Sequence, residues 1–149
     1  PRLESNSPGV NNNISEFIIL GIVRDVDLGN SSKLQQQVNA AWKAFSVNEK
    51  LHETVGWLKG KNDVFAFYHQ FNTEFSTAKL VIGYKSESRV VGLSSVNIQE
   101  GNFKRYSFDA SGIATEKVWQ EVYPDGNILE RYSVDINGNT SNIDILVIK

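Results

Sequence analysis

The chain of 149 residues contains no cysteine and no methionine, and only three prolines. Without thiols there can be no disulfide framework, no thiolate metal centre and no cysteine nucleophile. A domain of this length buries roughly two thirds of its unfolded surface, so it needs neither kind of staple. No apolar run reaches the roughly 18 residues that span a bilayer, and the polar start Pro1-Arg-Leu-Glu-Ser-Asn6 has no basic segment leading into an apolar one. A cytoplasmic protein is expected, and the sequons at Asn30 and Asn139 then carry no chemical meaning. Charge of one sign is also missing. Fifteen basic and seventeen acidic residues are interspersed, with a net charge of -2, which leaves no footprint for a phosphate backbone or a membrane surface. G-x-S-x-G, H-E-x-x-H and phosphate-cradling glycine loops are absent. His52 and His69 lack metal-ligand spacing and are expected at the surface, so neither a metal nor a cofactor is expected.

What is present is a repeated order of elements. Residues 1–13 are rich in Pro, Gly, Ser and Asn and read as a flexible tail outside the fold. Glu16 to Val26 is a short apolar run that predicts a buried strand. After a break at Asp27 to Ser32, the positions Leu34, Val38, Ala41, Trp42 and Phe45 recur on one helical face behind Ser/Asn caps, with continuation through Leu51 left open. Val64 to Phe71 and Ala78 to Tyr84 are two strands joined by a polar loop. The first half, about residues 14–90, therefore reads β-α-β-β.

The second half, about residues 91–149, repeats this order. A strand at Val96 to Gln99 and a turn at Glu100-Gly101-Asn102 lead into a strand at Phe103 to Asp109. A helix over about Ile113 to Tyr123 follows, then strands at Ile128 to Asn137 and Asn142 to Ile148. The helices correspond through Trp42 with Phe45 and Trp119 with Tyr123. The expected fold is α+β: two β-α-β-β repeats related by a pseudo-two-fold, with one antiparallel sheet packed by two main helices in a single domain over 14–149.

On the strand after the second helix, Ile128, Glu130, Tyr132 and Val134 share one face. That places a carboxylate among apolar neighbours, where an unpaired charge costs several kcal/mol. Either a protein cation pairs with it or the position awaits a cationic ligand. Trp42, Trp119, Tyr68, Phe67, Tyr106 and Phe108 read singly as core, and collectively as rings on which a flat cation could stack, at about 0.5–2 kcal/mol per contact. Burying about 300 Å² of ligand contributes some 7 kcal/mol before association costs, which brings micromolar affinity within reach.

Ile98-x-x-Gly101-x-Phe103-x-x-Tyr106, Trp119-x-x-x-Tyr123, Glu130-x-Tyr132 and the ending Ile143-Asp-Ile-Leu-Val-Ile148 resemble, in order and spacing, the GyrI-like effector-binding domain. This family occurs in multidrug-sensing transcription activators, a gyrase inhibitor and free-standing cytoplasmic proteins. The resemblance spans about Ile14 to Lys149 and is looser in the first half. It implies a cleft between the halves that holds flat, often cationic drugs or dyes, with the acidic anchor at Glu130. At Glu100 the chain departs from the family, where a small residue or Pro commonly precedes the turn Gly, and no helix-turn-helix region accompanies the domain. The expected ligand set is Glu130, Tyr132, Trp119, Trp42, Tyr68, Phe67, Tyr106 and Phe108, acting on a small molecule without direct nucleic-acid contact, as monomer or homodimer. Two alternatives stay open: a modulator of a protein partner, as the gyrase inhibitor is, and a hydrolase of reactive small molecules using Glu130 as base with Tyr132 or Tyr68 as donor.

Overall fold

The computed structural model describes residues 10–55, 63–74, 76–109, 127–134 and 140–148. The helix expected over Ile113 to Tyr123, with Trp119, lies outside the described residues. Among the described residues eight strands form one antiparallel sheet: β1 (Val10–Ile14), β2 (Phe17–Asp27), β3 (Val64–His69), β4 (Thr77–Ser86), β5 (Ser94–Ile98), β6 (Gly101–Asp109), β7 (Asn127–Val134) and β8 (Thr140–Ile148). The helices α1 (Ser31–Ser46) and α2 (Glu49–Val55) lie between β2 and β3 in sequence. Among the described residues no helix is long and apolar enough to cross a membrane.

The sheet order is β1-β6-β8-β7-β3-β4-β2-β5. β1 and β2 are therefore six positions apart, about 29 Å in a flat sheet at ~4.8 Å per strand. Yet only Ser15 and Glu16 connect them, a link that reaches at most about 11 Å. The same conflict holds for β5 and β6, joined by Gln99 and Glu100. Both are resolved if the sheet curls until its ends meet. The pairing registers agree, because Ile14 opposite Gly101 and Phe17 opposite Ile98 belong to one continuous ribbon interrupted only by the two links.

Curling gives the sheet an inside. Ile19, Phe65, Phe67, Val81, Ile98, Phe103, Leu129 and Leu146 form one buried cluster there, joined by Ile14, Phe17, Val23 and Val96. Phe17 and Phe65, on strands separated by β4, bring their ring centroids within 5.3 Å. Gly21 and Gly83 face each other in the β2–β4 ladder, and a Cβ on either would collide with the backbone carbonyl of Ile82 or Leu20. Only glycine fits there. Asp144 is buried on the inner face, opposite Arg131, and is held by the Arg131 guanidinium and by Arg105 Nε at 3.6 Å. A buried carboxylate needs such partners.

The outer face carries the second core. Leu20, Ile22, Ala66, Leu80, Ile82, Ile128, Ile143 and Ile145 pack there under Leu34, Val38, Ala41, Trp42 and Phe45 of α1, the face that the helical spacing predicts. Asn30 caps α1 by accepting from Lys33 N at 3.0 Å, worth about 1 kcal/mol. Asn48 repeats the device on Leu51 N at 3.0 Å, so the chain does not continue one helix but starts a second one that drops Leu51 into the core. His52 is thereby half-buried rather than a surface residue. Its Nε2 lies 3.0 Å from Phe45 O and its Nδ1 3.1 Å from Tyr84 Oη. If Nε2 donates to the carbonyl, Nδ1 accepts from the tyrosine.

A further correction concerns the amino-terminal segment. Val10 to Asn13, read from composition as part of a flexible tail, belong to β1, because β6 offers a backbone ladder for them to pair with. Registers also align the two repeats. Val10–Ile14 falls on Ser94–Ile98, Phe17 on Gly101, Thr77 on Thr140, and Ala66 on Glu130, its own cross-strand partner. The pseudo-two-fold therefore passes through the Ala66/Glu130 pair on one side and through the two links on the other. Gly21→Val should cost about 3 kcal/mol by overpacking the ladder. For a chain of this size that is a fall in Tm of about 6–12 °C, readable by circular dichroism.

Candidate functional site

Glu130 occupies the middle of β7, flanked by Ala66 of β3 and Ile145 of β8. Alternation along the strand turns its side chain to the outer, helix-covered face together with Ile128 and Tyr132. It is only 5% exposed, one of two buried charged side chains among the described residues, Asp144 being the other. The Tyr132 hydroxyl donates to Glu130 Oε1 at 2.7 Å. A charge-assisted bond of this kind lowers the cost of keeping the carboxylate in an apolar wall.

Rings surround this pair. Trp42 reaches from α1 and meets Tyr132 edge to face, with centroids 5.0 Å apart and planes at 81°. Phe45, one helical turn on, meets Trp42 at 5.9 Å. Tyr68, buried on β3, stands opposite Ile128 on the same face, and Tyr106 of β6 stands opposite Ile145. Burial pushes the Tyr68 hydroxyl well above the ordinary phenol range, and the Glu130 charge adds to the shift. Tyr132 is raised in the same way, by burial first and then by the charge and hydrogen bond of Glu130. Both phenols thus stay protonated as donors. The arrangement offers one carboxylate, two phenol hydroxyls and several ring faces, which suits recognition of a cation.

Of the residues expected from sequence, Glu130, Tyr132, Trp42, Tyr68 and Tyr106 share this face. Phe67 does not. It points to the inside of the curl, where it stacks on His69 with centroids 4.7 Å apart. That contact also half-buries His69, which sequence placed at the surface; burial and Lys79 lower its pKa. Phe108 sits opposite Ile143 on β6, its side chain outside the description, and Trp119 lies outside the described residues altogether. Ala66 was overlooked. Its signal is the one small residue in Val64-Phe-Ala-Phe-Tyr68, directly opposite Glu130. The segment Ser86 to Arg89 borders an open groove of about 530 Å³ with Glu16, Phe17, Ile18 and Lys85, and none of Glu130, Tyr132, Trp42, Tyr68 or Tyr106 lines it.

No protein-family model matches the chain, and no curated protein matches it significantly. Solved structures do. An integron cassette protein from the mobile metagenome of Vibrio cholerae is similar over 95% of both chains at 13% identity, with a TM-score of 0.66. SAV2435, solved bound to tetraphenylphosphonium, is similar over 93% of this chain and 92% of its own at 11% identity, with a TM-score of 0.67. A protein from Staphylococcus aureus MU50, solved as a candidate bacterial transcription regulation protein, is similar over 95% of this chain and 97% of its own, at 13% identity and a TM-score of 0.64. The likeness establishes the fold, which is the one implied by the resemblance to GyrI-like effector-binding domains.

The buried phenols make an alkaline prediction. Tyr68, Tyr84 and Tyr132 all have raised pKa values in the folded state, Tyr84 through burial. Unfolded tyrosines release their protons near pH 10, so above that pH the native state holds more protons than the unfolded one, and stability falls as pH rises. Each of the three contributes about 1.4 kcal/mol per pH unit above pH 10 and nothing below it. Absorbance at the tyrosinate band should show these three ionising only together with loss of the far-ultraviolet signal.

Proposed function

We propose that the two repeats act as one unit that binds small lipophilic organic cations on the outer sheet face, with Glu130 as the anchoring charge and Tyr132, Tyr68 and Trp42 as the apolar walls. The observation that carries the reading is the carboxylate itself, 5% exposed and set among aromatic and aliphatic side chains. Such a placement costs free energy in the empty protein, and an organic cation offsets that cost while burying its own apolar surface. The ligand of SAV2435, a lipophilic monocation on a protein of the same fold, supports the same class of molecule here. It also shifts the weight from flatness, which the family resemblance implies, to charge and apolar surface.

Recognition by this set requires no covalent step. Entry of a cation demands that side chains on the outer face yield, and Trp42 is the described ring that stands between α1 and Tyr132. Tyr132 keeps donating to Glu130 in the complex, and a neutral phenol leaves the carboxylate its charge, so Coulomb attraction needs no direct hydrogen bond from the ligand. Quaternary centres, which have no donor hydrogens, suit that geometry.

Glu130→Gln removes the charge while leaving an amide oxygen to accept from Tyr132, so the variant should fold. Isothermal titration should show tetraphenylphosphonium weakened by about 1–3 kcal/mol, and a neutral aromatic of similar area unchanged. Equal losses for both would remove the electrostatic part of the reading. In a thermal-shift screen, a lipophilic cation at 100 times its Kd should add roughly 2.7 kcal/mol of stability.

A further inference from the structure

From the position of Glu130 on the pseudo-two-fold we infer that the ligand is a monocation whose charge lies at its centre, between two apolar arms, one arm for each repeat. This rests on the cation-binding reading above. The registers place Ala66 and Glu130 opposite one another at the axis, and the same symmetry relates Tyr68 of β3 to Tyr132 of β7. Tyr68 lies opposite Ile128, four residues from Tyr132 along β7, so the Cα atoms of the two tyrosines stand about 14 Å apart along the strand direction with that of Glu130 midway, and the Tyr132 hydroxyl reaches back to the carboxylate. Tyr68 is buried and Tyr132 half-buried on the same outer face, and the Glu130 charge raises the pKa of both.

Symmetry accounts for the rings but not for the charge. The position equivalent to Glu130 is Ala66, so the axis carries one carboxylate and not two. A dication would leave one charge in an apolar wall without an anchor. A cation with its charge at one end would place a single arm against one repeat and leave the other tyrosine without ligand. A central charge satisfies the carboxylate while both arms find a ring.

Two rigid probes of the same charge separate the possibilities: tetraphenylphosphonium, charged at its centre, and p-terphenyl-trimethylammonium, charged at its end. Titration calorimetry on the wild-type chain should give at least tenfold tighter binding for the central charge. Tyr68→Leu and Tyr132→Leu should each weaken tetraphenylphosphonium by similar factors of about five to ten, while the terminal cation responds to only one of them. Equal or tighter binding of the terminal cation, lost in Glu130→Gln, would overturn the inference and leave the cation-binding reading standing. Binding of neither probe, or binding indifferent to Glu130→Gln, would overturn both. The wild-type comparison decides the matter even if a leucine variant fails to fold.

Discussion

Two links of two residues, Ser15-Glu16 and Gln99-Glu100, constrain everything else in this molecule. Each must join strands at nearly opposite ends of an eight-stranded sheet, and a flat sheet would leave a gap more than twice as long as the link can reach. The sheet must therefore curl, and curling has consequences at each level. It creates an interior that phenylalanines fill, and it forces Gly21 and Gly83 into a contact that no side chain permits. It also joins β1–β2 and β5–β6 into one ribbon whose midpoint lies on the pseudo-two-fold.

A sheet buried on both faces has two cores with different chemistry. The inner face ends in a charged cluster, where Asp144 is satisfied by two arginines from neighbouring strands. This cluster is internal to the sheet and has its own counter-charges. The outer face places its carboxylate at the centre of the apolar wall, with a phenol as donor. A guanidinium clamp fixes register, whereas a phenol leaves the carboxylate's charge in place.

How far the sequence reveals this depends on where the deciding contact lies. The α1 face was legible, because Leu34, Val38, Ala41, Trp42 and Phe45 carry the helical period locally. Strands β2, β4, β7 and β8 were legible as apolar runs, as was Glu130 with Tyr132 on one face by simple alternation. β1 was not, since Val10-Asn-Asn-Asn-Ile14 has no pattern of its own and is a strand only because β6 pairs with it. Phe67, grouped with Tyr68 among the candidate ligand rings, lies on the opposite face for a related reason: Val64 to Tyr68 is apolar at every position, so the composition of the run does not show which side is inside until the register with β7 is known. Asp144 hid inside an apolar ending, and its partners Arg105 and Arg131 come from other strands.

Duplication gives a site on the axis a particular character. Any residue placed there is paired with its own counterpart, so a carboxylate in both copies would put two like charges directly opposite each other, an arrangement that costs free energy across a strand pair. The chain avoids this with Ala66, the smallest side chain that keeps the strand apolar, and so retains a single charge in a nearly symmetric surround. The tyrosines remain duplicated because uncharged rings tolerate repetition. Asymmetry is thus concentrated in one residue pair. The repeats give the two members of the axis pair matching surroundings, and the Ala66/Glu130 difference alone sets the charge there.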